Sequence, residues 1–182
     1  MKSAKKILAL ILAGVMALAL LTGCGKAASL NRTVAEGLAE YVKSIFADAG
    51  NENNISVSYQ VPELSRNIAP LFDENWVKYD ESKKEDVLNE EHKINGKTIE
   101  ETLRDILNPY MSDSYVALLA TDVTDVKNPV LEVLNLFSST IAFRPTDPNT
   151  FRPESITSLK IEVTHKTVNG RTYALAVIIY EA

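Results

Sequence analysis

Hydrophobic positions recur at helical spacing in some stretches of the chain and alternate with polar ones in others, and the change of period marks out its elements. Val34, Leu38, Tyr41, Val42, Ile45, Phe46 and Ala49 fall on one face of a helix that closes at Gly50, and Thr33-Val34-Ala35-Glu36 offers a capping box at its start. After the turn-rich 51–54, Ile55, Val57, Tyr59 and Val61 alternate with polar residues, which predicts an edge strand. Leu64, Ile68, Leu71 and Phe72 return to helical spacing, and Pro70 removes a backbone donor and ends that helix near Ala69. Ser82-Lys83-Lys84-Glu85 predicts the cap of a short, solvated helix through Val87 and Leu88 that closes before Asn95-Gly96. Thr98-Ile99-Glu100-Glu101 is a second capping box. Behind it Ile99, Leu103, Ile106, Leu107 and Tyr110 share one helical face until Asn108-Pro109.

The C-terminal half carries the β signal. Residues 115–120 are a continuous apolar run, which suits a strand covered on both sides. Asn128-Pro129 supplies an N-cap and a favoured first helical residue, and the helix that follows to Phe137 is apolar nearly all round, hence expected to be buried. Residues 138–155 hold three prolines and the echo Phe143-Arg144-Pro145 and Phe151-Arg152-Pro153, too short for a repeat protein, and read as one long ordered loop. Leu159, Ile161 and Val163 then alternate with polar residues, Val168-Asn169-Gly170 turns, and the chain returns with Tyr173, Leu175, Val177 and Ile179 on one face and Ala174, Ala176, Ile178 and Tyr180 on the other. A strand apolar on both faces is central and covered on each side. The expected fold is therefore α+β: a small, mostly antiparallel sheet with a C-terminal β-hairpin, covered by helices on both faces.

The N-terminus changes the picture. Lys2, Lys5 and Lys6 precede an uncharged hydrophobic run over residues 7–21, too short to span a bilayer, and Leu21-Thr22-Gly23-Cys24 resembles a bacterial lipobox. That resemblance implies removal of residues 1–23, acylation of Cys24 as the new N-terminus, and residence at the extracytoplasmic face of the cell membrane. Residues 24–31, small and polar, read as a tether and 32–182 as a single domain. The formal charge of −5 becomes −8 once the three signal lysines are lost, which disfavours nucleic acid as a partner. Cys24 is the only cysteine, so no disulfide is expected.

Candidate chemistry is sparse. His92 lies in a charged stretch and His165 near the end of a strand, neither at a spacing that binds zinc. His165 shares parity with Leu159, Ile161 and Val163 and is expected to point toward the covered face. There is no Gly-x-Ser-x-Gly and no Gly-rich phosphate loop, so catalytic residues stay unassigned and neither a metal nor a cofactor is expected. Asp122 and Asp125 follow the 115–120 strand, where a loop can bring both near a ligand, although they lack the further ligands and glycine of a calcium loop. Trp76 and Tyr79 beside Asp73 and Glu74 form a candidate stacking surface for a sugar or peptide, against the plainer reading of core aromatics.

The element order, a helix ending in Phe137-Ser138, a proline-rich loop and a terminal Asn-Gly hairpin resemble the CAP superfamily of secreted proteins. The resemblance implies that Ser138 matches the family's serine. It also implies a degenerate member without the family's metal site, because Ile141, Ala142 and Phe143 stand where a cavity histidine would fall, and the acidic cavity residue has at best Asp122 or Asp125 as a stand-in. The expected function is that of an anchored, non-catalytic binding or interaction module, whose partners are the membrane through Cys24 and a cell-wall component or envelope protein. The alternatives are a wall glycan or peptide hydrolase working through paired carboxylates, and an accessory subunit of an envelope transporter.

Overall fold

The structure is a computed structural model that describes residues 26–82, 85–112, 114–138, 141–143 and 151–182. In chain order it contains α1 (Lys26–Asp48), β1 (Ser56–Ser58), a π-helical turn (Leu64–Ile68), a 3-10 turn (Glu74–Trp76), β2 (Val77–Asp80) and β3 (Glu85–Leu88). After these come β4 (Lys93–Ile94), β5 (Lys97–Thr98), α2 (Ile99–Leu107), β6 (Ser114–Asp122), α3 (Pro129–Phe137), β7 (Ile141–Phe143), β8 (Ser158–Val168) and β9 (Arg171–Glu181). The fold is α+β. Its main sheet has five strands in the order β1-β8-β9-β6-β7, antiparallel throughout except for β1, which runs parallel to β8 at one edge.

The β8–β9 hairpin turns through Asn169 and Gly170, with φ of 49° and 82°. Both are positive, as a two-residue turn matching the strand twist requires, and Asn and Gly are the residues that tolerate it. β9 lies between β8 and β6, and both of its faces are buried under other elements. Tyr173, Leu175, Val177 and Ile179, with Val116, Leu118 and Ala120 of β6, face a first core closed by Leu64, Ile68, Phe72, Trp76 and the α2 residues Ile99, Leu103 and Leu107. Ala174, Ala176 and Ile178, with Leu159, Ile161 and Val163 of β8, face a second core closed by Val34, Leu38, Val42 and Phe46 of α1 and by Val133 and Leu136 of α3. α1 runs antiparallel to β8: Asn31 meets His165 near one end, and the Phe46 ring lies 5.8 Å from that of Tyr180, which pairs with Leu159, near the other.

The other expectations fare unevenly. The α2 capping box is complete: Glu101 N donates to Thr98 Oγ1 at 3.1 Å and Thr98 N to Glu101 Oε2 at 2.8 Å. Asn128 Oδ1 accepts from Val130 N at 2.9 Å and caps α3. The 64–69 helix is one π-helical turn, closed by Ala69 N donating to Leu64 O at 2.8 Å. α1 starts at Lys26, not at Thr33, so residues 26–31 of the tether are helical and Thr33 is buried inside the helix. Ala27, Ala28 and Leu30 are strong helix formers, and Leu30 packs on the second core.

Two expectations are corrected. The short helix from Ser82 is instead the β2–β3 hairpin, with Val77 opposite Leu88 and Tyr79 opposite Asp86. As strands these residues set both Val77 and Leu88 against the first core and let Asn89 N donate to Trp76 O at 2.8 Å. A helix through Val87 and Leu88 offers only those two apolar residues for burial. The long loop after Ser138 is interrupted by β7, which pairs with Leu118, Leu119 and Ala120 of β6. Arg144-Pro145 of its Phe-Arg-Pro echo, Lys83-Lys84, the export signal and Cys24 lie outside the described residues.

Candidate functional site

At the end of the sheet where α1 begins, three elements bring polar side chains together on the second-core face. His165 shares the parity of Leu159, Ile161 and Val163 and so points from β8 toward the helices, as its position in the strand predicts. α1 brings Asn31 to it and α3 brings Glu132, which sits one helical turn after the Asn128 cap. His165 Nε2 lies 2.5 Å from Glu132 Oε1, and Nδ1 lies 2.6 Å from Asn31 Oδ1. The Glu132 side chain is only 4% exposed and that of His165 18%. α3 thus inverts its expected burial: the acid is inside, while Leu131 is 52% exposed.

The cluster's chemistry follows from its geometry. A general base needs a ring nitrogen free to take a substrate's proton, within hydrogen-bond reach of it. Both nitrogens of His165 are engaged. The Glu132 carboxylate can only accept, so the contact requires a proton on Nε2, and Asn31 can answer Nδ1 with its carbonyl oxygen or its amide group, so the ring is engaged on both sides. What the arrangement does is lock α1, α3 and β8 to one another through a buried carboxylate and its partner.

The remaining candidate residues are dispersed. Asp122 lies on β6 opposite Tyr173, with the parity of Ala120, so its side chain points to the first-core face of the sheet, away from His165. Its Oδ1 accepts from Thr124 N at 2.9 Å and from Thr124 Oγ1 at 2.5 Å, and its Oδ2 lies 3.5 Å from Arg171 Nε. Those contacts are the turn and ion-pair contacts of a strand end. Asp125 is exposed in the following turn. Trp76 is 1% exposed and packs on Phe72 in the first core, whereas Tyr79 is 55% exposed on β2, so the two form no common stacking surface. His92 Nε2 lies 3.4 Å from Asp73 Oδ2. Ser138 Oγ donates to Leu134 O at 2.8 Å and closes the last turn of α3.

A second polar group borders the first core, where the side chains of β8 turn from apolar to polar. Lys160 Nζ donates to Glu181 Oε1 at 2.5 Å, and Ser158 also donates to Glu181. Lys160, then Ser158, hold the Glu181 carboxyl below the ordinary carboxylate range. Glu162 Oε2 accepts from Val61 N at 2.8 Å, and Tyr110 Oη donates to Glu63 Oε2 at 2.6 Å. These side chains tie the segment after β1 and the end of α2 to β8.

Among the described residues no group of three or more His, Cys, Asp or Glu is placed to hold a metal ion, and no helix is long and apolar enough to cross a membrane. Comparison with protein-family models, with curated proteins and with solved structures finds no match.

Proposed function

We propose that this protein is an envelope lipoprotein, held at the extracytoplasmic face of the cell membrane by lipid on Cys24, whose domain is a non-catalytic binding or interaction module. The observation that carries this reading is Leu21-Thr22-Gly23-Cys24 behind an uncharged run and three lysines. One acyl chain holds a protein at a bilayer only marginally, whereas two or more hold it stably, so a diacylated cysteine suffices as an anchor. Support for the non-catalytic half comes from His165, whose two nitrogens are both engaged, and from Asp122, which the sheet separates from it. The hydrolase alternative needs a pair of carboxylates free to act as acid and base, and Asp122 is engaged by Thr124 and Arg171. The partner class is a wall component or another envelope protein.

The test uses the full chain in a bacterial host supplied with labelled palmitate. The expected outcome is a lipid-labelled protein cut before Cys24, and an uncut, unlabelled Cys24→Ala variant. Lipid label on that variant would refute the anchoring reading. Capture of one wall component or envelope protein by the mature domain is expected, without release of soluble wall fragments. Fragment release that is lost in an Asp122→Asn, Asp125→Asn variant would establish the hydrolase instead.

A further inference from the structure

Asn95-Gly96 and Asn169-Gly170 form the two-residue turns of the β4–β5 and β8–β9 hairpins. An Asn-Gly pair is where an asparagine side chain is most open to attack by the backbone that follows it, because glycine has no Cβ to shield its own amide nitrogen. All four residues are exposed, with φ of 52° and 86° in the first turn and 49° and 82° in the second. Nothing lies within 4 Å of where a Cβ would stand on either glycine. Exposure and local conformation therefore do not tell the two turns apart.

What differs is how firmly each turn is held. Closing a ring from the glycine nitrogen to the asparagine Cγ requires the asparagine to leave the tight-turn conformation, so the hairpin end has to open first. The β8–β9 end is bolted to its surroundings. The Thr167 and Thr172 hydroxyls lie 3.1 Å apart, Thr172 N donates to Thr124 Oγ1 at 3.0 Å, and Val123 N donates to Thr172 O at 2.8 Å. Eleven residue pairs stand behind that turn, against two behind the other, Lys93 with Thr98 and Ile94 with Lys97. Beyond those two pairs the β4–β5 turn is steadied by Ile94, partly buried at the first core, and by Lys97 Nζ at 2.5 Å from Asp105 Oδ2, an exposed ion pair that contributes little. Opening is therefore easier at Asn95.

We propose that Asn95 is a site of spontaneous succinimide formation, and that its isoaspartyl product uncouples the β4–β5 turn from the start of α2. Gly96 N attacks Asn95 Cγ and forms the new C–N bond, while the side-chain amide takes up the proton lost by Gly96 N and leaves as ammonia. Water then opens the ring at either carbonyl, giving aspartate on the original backbone or isoaspartate with one extra methylene in the main chain. Water is the only co-reactant. Aspartate leaves the two-residue turn intact, whereas the extra methylene of isoaspartate shifts Lys93 against Thr98. Thr98 is also the N-cap of α2, its Oγ1 accepting from Glu101 N at 3.1 Å, so a displaced Thr98 releases the cap.

The test incubates the full chain in mildly alkaline buffer, with and without denaturing urea, and measures deamidated and isoaspartyl residues at both turns by peptide mass spectrometry and enzymatic isoaspartyl methylation. In the native protein Asn95 is expected to convert severalfold faster than Asn169, and in urea the two rates are expected to converge. No conversion at Asn95, or conversion at Asn169 that is as fast or faster, would overturn the site. A native difference that persists unchanged in urea would overturn its structural cause. Protein fractionated to carry isoaspartate at position 95 is expected to unfold at a lower temperature than the unmodified chain, whereas Asn95→Asp, which adds the charge without the methylene, is expected to unfold close to the wild type. An isoaspartyl fraction that melts with the unmodified chain, or an Asn95→Asp variant that melts as low as that fraction, would overturn the uncoupling.

Discussion

Glu132 shows how one residue's environment sets its role. A carboxylate this deeply buried is tolerated only with a partner, and removing that partner from a buried pair costs about 3–5 kcal/mol, whereas replacing both members by apolar groups is often close to neutral. His165→Ala is therefore expected to lower stability by about 3 kcal/mol, towards the lower limit because the imidazole is partly exposed. His165→Leu with Glu132→Leu should lose much less. Urea unfolding of the single and double variants measures this, and a loss below about 1 kcal/mol for His165→Ala would leave the ring free for another task. Tyr110 gives a pH signature. Burial first, and then its bond to Glu63, push its hydroxyl up to about 12 from 10.0. The folded state keeps that proton longer than the unfolded chain does, so the contribution is complete below the unfolded value and is lost as pH rises through the folded one. The stability advantage of the wild type over Tyr110→Phe should accordingly shrink between pH 10.0 and about 12. An advantage constant across that window would show that the phenol is not held by Glu63.

Elements were legible where their signal was local. The cap of α2 is written within four consecutive residues and is satisfied within them, so no distant contact is needed to know where the helix starts. Thr98→Ala is expected to cost about 1 kcal/mol, because the Glu101 N–H then loses its acceptor; thermal unfolding should show it, and an unchanged midpoint would mean that the turn from β5 already fixes the start. The C-terminal hairpin was equally readable, since Asn169-Gly170 specifies the turn and the alternation specifies the faces. The β2–β3 hairpin was not. Ser82-Lys83-Lys84-Glu85 has the composition of a helix start, and what overrides it is the burial of Val77 and Leu88 against Trp76 and the rest of the first core, which no local pattern announces. The start of α1 was missed for a related reason: residues 26–31 lack an amphipathic stripe, and the helix reaches back through them on good propensity and on the contact of Leu30 with the second core.

At the scale of the whole molecule, β9 is shared by two cores, and that sharing decides how the domain should unfold. His165 could be singled out from its strand parity, but Asn31 and Glu132 stand 134 and 33 residues away in sequence and become its partners only when α1 and α3 settle on the same face. The same long-range closure joins the cores. Val177 belongs to the first and Ala176 and Ile178 to the second, so neither core can melt without stripping one face of the central strand. The domain is therefore expected to unfold in one cooperative transition. Leu103→Ala strikes the first core and Leu38→Ala the second, each at a side chain with no exposed surface. Each should cost about 2–5 kcal/mol and lower the midpoint by about 2–4 °C per kcal/mol, with near-UV and far-UV signals still moving together. Phe72, Trp76 and Tyr173 report on the first core, while Phe46 and Tyr180 report on the second. Splitting of the near-UV and far-UV curves in either variant would mean that the two helical layers are held separately, and that β9 supports them in turn rather than together.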